Sequence, residues 1–311
     1  MSEGEPKIEI IKPFEDAFEL MKKILFQPFN FEKWLVVGFA AFLTYLTGGG
    51  FGGFRFPTGG RWTNHSATQS DNFRSFIEQL GPLGWSLIGI GVLLFLALMV
   101  VLTWVRARGH FIFIDCIVRN RAAIVEPWKV YRAEGNSYFV FSLLVMIGMI
   151  GLMMAIAIAI LVPVLILSQH DHNGLALLPL LLLVIILPIL FVFMTIVQFV
   201  APVMYRRRCK ALLAFSDLLS LLSDHLGVFI LYFLFSIALA IGVAIAVMLA
   251  TCLTCCIAAI PYVGTVILLP VYVFLQSFSL LFLQQFGSDY DVWAALRQSE
   301  PPPIQPPPLP S

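Results

Sequence analysis

The sequence predicts an all-α fold, a polytopic transmembrane helix bundle. Six spans are expected as three hairpins, with amphipathic helices at the membrane interface. Three observations predict it. Hydrophobic residues make up 59% of the 311 and charged residues 12%, about half the charged share of a soluble domain. Mean hydropathy is +0.92, and apolar runs of bilayer-crossing length recur along the chain. Finally, 16 of the 19 Lys and Arg fall in the terminal segments and alternate links, the asymmetry that orients multi-pass proteins.

Residues 1–30 read as a cytoplasmic segment. They lack the apolar core and small-residue cleavage site of a signal peptide, so the first apolar run is expected to act as an uncleaved anchor. Between Pro13 and Gln27, Phe14, Phe18, Met21 and Leu25 recur at helical spacing, while Glu15, Asp16, Glu19, Lys22 and Lys23 take other faces. Two apolar partners fit this helix equally, the membrane surface and the rest of the bundle. Pro13 suits a first turn and Pro28 ends the pattern.

The membrane domain is expected over residues 31–286. Its first run, from Trp34 to Thr47, is short for a bilayer that takes about 20 residues to cross. It is expected to continue partly through the glycines at 48–53. The outer loop at 48–80 is glycine-rich but lacks the GK[ST] ending of a phosphate loop. Asp71 to Leu80 reads as a short surface helix with Asp71 as its cap. Longer runs follow at about residues 85–105, 138–167, 175–204, 226–253 and 257–286. Pro163, Pro179, Pro188, Pro202, Pro261 and Pro270 mark kinks or ends.

The two cytoplasmic links, 106–137 and 205–225, are basic and amphipathic. In the first, Phe111, Ile114, Ile117, Val118 and Ile124 form an apolar stripe, with Asp115 and Arg119 as an i,i+4 pair on the polar side. That pattern predicts an interfacial helix. Pro127 is expected to start a second one, which Gly135 and Asn136 close. In the second link, Ser216 is expected to start the amphipathic turn. Together with the N-terminal helix, these form a weak repeat of helix start, polar break and apolar run. The outer links are the glycine loop, Ser168 to Gly174, and a tight turn at Cys255. Only Arg55, Arg61 and Arg74 lie on that side, which places both termini in the cytoplasm and the protein in an inner or plasma membrane. Residues 287–311 form a cytoplasmic tail whose prolines favour an exposed polyproline II end, with a PxxP at Pro303 to Pro306.

Little of this carries chemistry. His170, Asp171, His172, Cys252 and Cys255, with His65 and Cys256, gather ligand types for a soft or borderline metal on the outer side. Against that, the histidines suit any polar turn, and cysteine in an apolar span behaves as a small hydrophobe. No cofactor is expected. There is no GxSxG or HExxH, and no carboxylate pair, so an enzyme is not favoured. No acid or base stands out inside the spans. Their polar residues are mainly Gln198, Gln276 and Ser/Thr, which join helices. Arg106, Arg108, Arg119, Arg121, Lys129 and Arg132, with Trp128 among the neighbouring aromatics, have the composition of an anionic phospholipid headgroup site. The same residues suit a purely topological and anchoring role. A net charge of +1 excludes a general nucleic-acid binder. The expected partners are membrane lipids and a protein at the cytoplasmic face or the proline-rich tail.

The runs AFELMKKILFQPFNFEKWLVVGF (Ala17 to Phe39), GHFIFIDCIVRNRAAI (Gly109 to Ile124) and FLQQFGSDYD (Phe282 to Asp291) resemble a family of uncharacterised prokaryotic six-span membrane proteins. That family is similar to the membrane-anchor domain of glycerophosphoryl diester phosphodiesterases. The resemblance implies an integral membrane protein with a lipid connection. It carries no active-site residue, because the catalytic barrel of those enzymes has no counterpart here. Three functions are therefore expected, in order. The first is a non-enzymatic scaffold, partner subunit or lipid-associated component. The second is a permease-like subunit, which requires a polar cavity near mid-membrane. The third is a membrane-embedded enzyme of lipid metabolism.

Overall fold

A computed structural model describes residues 9–46, 82–167, 177–253 and 260–299, and all regular structure among them is helical. The helices are α1 (Ile11–Leu25), α2 (Phe31–Tyr45), α3 (Pro82–Val118), α4 (Val125–Val130), α5 (Arg132–Leu167), α6 (Leu177–Arg207), α7 (Ala211–Asp224), α8 (Leu226–Leu253), α9 (Pro261–Ile267), α10 (Leu269–Gln284) and α11 (Ala294–Ser299). The architecture is an all-α membrane bundle. Four stretches are long and apolar enough to cross a bilayer: Gly84–Val118, Arg132–Ala159, Pro188–Arg207 and Leu226–Leu253. Helices α2 and α10 have 15 and 16 residues, short of the ~20 that a crossing needs.

Burial is divided along the long helices. In α3, residues 85–98 are all exposed, whereas residues 107–118 are all buried. The same division runs through α6, buried from Phe199 to Tyr205, whereas α8 is buried at Phe229, Tyr232 and Phe233 and again at Val243 and Val247. Lipid explains the exposed halves, since apolar side chains gain nothing by leaving hydrocarbon for one another. At 1.5 Å per residue, the 35 residues of Gly84–Val118 extend about 52 Å, well beyond a ~30 Å hydrocarbon core. The buried third of α3 therefore belongs to a packed end that carries both basic links.

Helix α2 runs antiparallel to that third. Lys33 Nζ donates to Asn120 Oδ1 at 2.7 Å near one end, and Arg106 Nε donates to Thr44 O at 3.1 Å near the other. Gly109 makes the approach feasible: a Cβ there would lie 2.6 Å from Leu43 Cβ and 3.1 Å from the Thr44 nitrogen. On the far side of α2, Trp34 Nε1 donates to Val266 O at 3.0 Å, which fixes α9. Large rings join α6, α8 and α10, with Tyr232 stacked 4.2 Å from Phe282 and Phe199 at 5.3 Å from Tyr232.

Helix α1 packs along α10 and so takes the bundle as its apolar partner. Its buried residues are Pro13, Ala17, Met21, Ile24 and Leu25, so the expected stripe is rotated. Phe18 is 48% exposed, whereas Ala17 and Ile24 are fully buried. A small residue at the line of contact lets the helices approach, and the phenylalanines flank it. Phe14 meets Phe235 and Phe274 edge-on at 5.5 and 5.2 Å.

The link at 106–137 also differs from expectation. Residues 106–118 are the continuation of α3 rather than a separate interfacial helix, because nothing in RARGHFIFIDCIV interrupts helical hydrogen bonding. Helix α4 starts at Val125, with Pro127 in its first turn. Gly135 and Asn136 lie inside α5, where a Cβ on Gly135 would lie 3.0 Å from Arg108 Cγ. Helix α7 begins at Ala211, five residues before Ser216, and Ala211 N donates to Ser137 Oγ at 3.1 Å. The glycine-rich loop with its short helix, the expected extension of the first run, the links at Ser168 and Cys255, and the proline-rich tail lie outside the described residues.

Candidate functional site

Two polar assemblies stand out, one at the packed end and one at the middle of the apolar helices. The first centres on Asp115, whose side chain is wholly buried. Arg119, one turn on, places Nε 3.1 Å from Oδ1. Arg121 reaches back from the turn after α3, with Nε and Nη2 at 3.2 and 3.1 Å from Oδ2. From α6, Tyr205 donates its hydroxyl to Oδ1 at 2.9 Å. Arg121 also grips Glu126 through two bonds of 2.7 and 3.1 Å. That contact holds the Glu126 carboxyl below the usual carboxylate range and the guanidinium above its own.

Aromatic rings extend this node. Tyr205 stacks on Tyr131 at 4.8 Å and Tyr131 on Phe111 at 5.9 Å. The Arg208 guanidinium lies 4.0 Å above Tyr131 and pairs with Glu134 at 3.1 Å. One helical level away, Arg108 sits between Trp104 and Trp128 at 4.5 and 5.0 Å and donates to Asn136 Oδ1 at 2.9 Å. Each cation here answers an anion, an amide or a ring face of the same chain. The arrangement locks α3, α4, α5 and α6 together.

The second assembly is a cleft of about 320 Å³ among α6, α8, α10 and the end of α2. Thr195 and Gln198 reach it from α6, Tyr232 and Ser236 from α8, and Tyr272, Gln276 and Ser279 from α10, with Tyr45 at its edge. Gln198 lies near the centre of the span Pro188–Arg207 and Gln276 at the centre of α10. No charged residue lines the cleft. Some of its groups are satisfied within the protein: Thr195 donates to Phe191 O at 3.0 Å, and Tyr232 Oη and Ser279 Oγ are 3.2 Å apart. Tyr272 is 2% exposed, yet its hydroxyl has no hydrogen-bond partner. A buried orphan hydroxyl costs about 1–3 kcal/mol, and Ser277 Oγ on the same helix is likewise buried without a partner.

The structure divides the residues expected at a lipid headgroup site. Arg106, Arg108, Arg119 and Arg121 are held by Thr44, Asn136 and Asp115, and Trp128 covers Arg108. Lys129 and Arg132 are exposed and form no ion pair among the described residues. Of the metal candidates, Cys252 is exposed with a free thiol; His170, Asp171, His172 and Cys255 lie outside the described residues. Among the described residues no group of three or more His, Cys, Asp or Glu converges. Helical spacing put Asp115 on a solvated face and gave no sign of Tyr205, which lies 90 positions away. The cleft tyrosines Tyr232 and Tyr272 had no sequence signal either, since no spacing links them.

A family of unknown function, DUF7544, matches residues 8–269, and the chain belongs to it. Neither a curated protein nor a solved structure matches.

Proposed function

We propose that this member of DUF7544 is a permease-like integral membrane protein that takes an uncharged, partly apolar molecule into the cleft between α6, α8 and α10. One observation carries the reading: Gln198 and Gln276, with Thr195, Ser236 and Ser279, line one open space between the helices. A scaffold gains nothing from such a space, because a cleft forfeits packing and leaves polar groups without partners. The lining selects its ligand. With amides, hydroxyls and aromatic faces but no charge, it suits a solute or lipid bearing hydroxyl or carbonyl groups on an apolar body. An ion or a strongly charged substrate would enter without a counter-charge. The resemblance to phosphodiesterase membrane anchors supports a lipid-related ligand, and the positive-inside asymmetry supports a cleft that lies within the bilayer with both termini in the cytoplasm.

Native mass spectrometry of the protein purified in mild detergent tests this. We expect a bound neutral species on the wild type, reduced by about tenfold or more in Gln276→Leu, with a smaller loss in Gln198→Leu. Each lost hydrogen bond to a buried ligand group is worth about 1–2 kcal/mol. The same complement on wild type and Gln276→Leu removes the reading.

A further inference from the structure

A second recess lies on the opposite face of α6. Where Phe191, Met194, Thr195 and Gln198 face the cleft, Ile189, Leu190 and Phe193 line a groove of about 510 Å³ with α5 and α7. Its walls are apolar, including Phe141, Leu144 and Leu152 of α5 and Leu212 of α7. From Phe141 to Leu152 the groove follows α5 for about 16 Å, the depth of one leaflet of a ~30 Å hydrocarbon core. The basic run Arg206, Arg207, Arg208, Lys210 lies at its α7 end. Arg207 pairs with Asp217 and Arg208 with Glu134. Lys210 is exposed, pairs with no carboxylate among the described residues, and stands two residues before the groove-lining Leu212.

We infer that this groove holds one acyl chain of an acidic phospholipid of the cytoplasmic leaflet, with Lys210 meeting its phosphate. Length and charge both select this occupant. A leaflet-deep apolar trough fits a hydrocarbon chain, and a cation at the headgroup level favours an acidic lipid over a zwitterionic one. The site is separate from the neutral cleft, and neither reading depends on the other.

Gly148 supplies the test. It lines the groove, and a Cβ there meets nothing within 4 Å, so the side chain of Gly148→Leu starts in open space and projects into the recess. Gly151 is equally unobstructed but lies outside the groove lining, and Gly151→Leu is the control. Delipidated protein is titrated with phosphatidylglycerol and with phosphatidylcholine of identical chains, and bound lipid is counted by native mass spectrometry. The wild type is expected to take up one phosphatidylglycerol in preference to phosphatidylcholine. Gly148→Leu weakens uptake of both about tenfold, comparable to losing the burial of two methylenes. Lys210→Gln lowers only the preference, roughly fivefold for one surface cation, and Gly151→Leu binds as wild type. Equal, unsaturable uptake of both lipids marks ordinary boundary lipid and overturns the site, as does undiminished binding by Gly148→Leu.

Discussion

Asp115 shows how burial decides the worth of an ion pair. Its carboxylate is inaccessible, while the side chains of Arg119 and Arg121 retain 38% and 32% exposure. Removing the anion therefore strands two cations that can turn to water. Removing both cations strands a charge that cannot. Asp115→Asn is expected to cost about 2 kcal/mol, against about 3–5 kcal/mol for Arg119→Gln with Arg121→Gln. Thermal unfolding in one detergent compares them, and equal losses would show that Asp115 reaches solvent. The Asp115–Arg119 spacing was legible in the sequence, but it pointed to a solvated face. Asp115 is instead buried and accepts from Tyr205 of another helix, and no helical period reports such a neighbour.

Between elements, the decisive contacts are made by the smallest and the largest side chains. Gly109 brings α2 against α3, and Ala17 brings α1 against α10, whereas rings span the wider gaps among α6, α8 and α10. Gly109→Ala is expected to destabilise by about 1–3 kcal/mol, because its Cβ meets backbone that cannot step aside. Gly148→Ala in α5 is expected to be neutral or to stabilise by up to about 1 kcal/mol through helix propensity. Melting curves of the two variants separate close approach from mere helix composition; similar curves would contradict the α2–α3 contact. The existence of the long helices α3, α5, α6 and α8 was legible from the apolar runs, whereas the single run expected at 257–286 holds two helices, α9 and α10, and α11 lies in the expected tail. The end of α3 was not legible, because Arg106, Arg108 and Asp115 resemble the start of a solvated link. Their charges are instead answered by Thr44, Asn136, two tryptophans and the arginines of the following turn.

At the scale of the whole molecule, the chain combines a packed end with apolar helix halves that face lipid. The N-terminal segment is tied to that end, since Gln285 exchanges two 2.8 Å hydrogen bonds with the Glu9 backbone. Composition and charge asymmetry disclosed the membrane class. They did not disclose that Gln198 and Gln276, 78 positions apart in the chain, share a cleft. Glutamine in a span usually joins helices, whereas these two line one open space. The most direct test of that claim is an experimental density map of the protein purified in mild detergent without added ligand. Non-protein density is expected in the cleft, within hydrogen-bonding reach of Gln198 and Gln276. Closed packing of α6, α8 and α10, with Gln198 and Gln276 hydrogen-bonded to each other and no space between them, would contradict it.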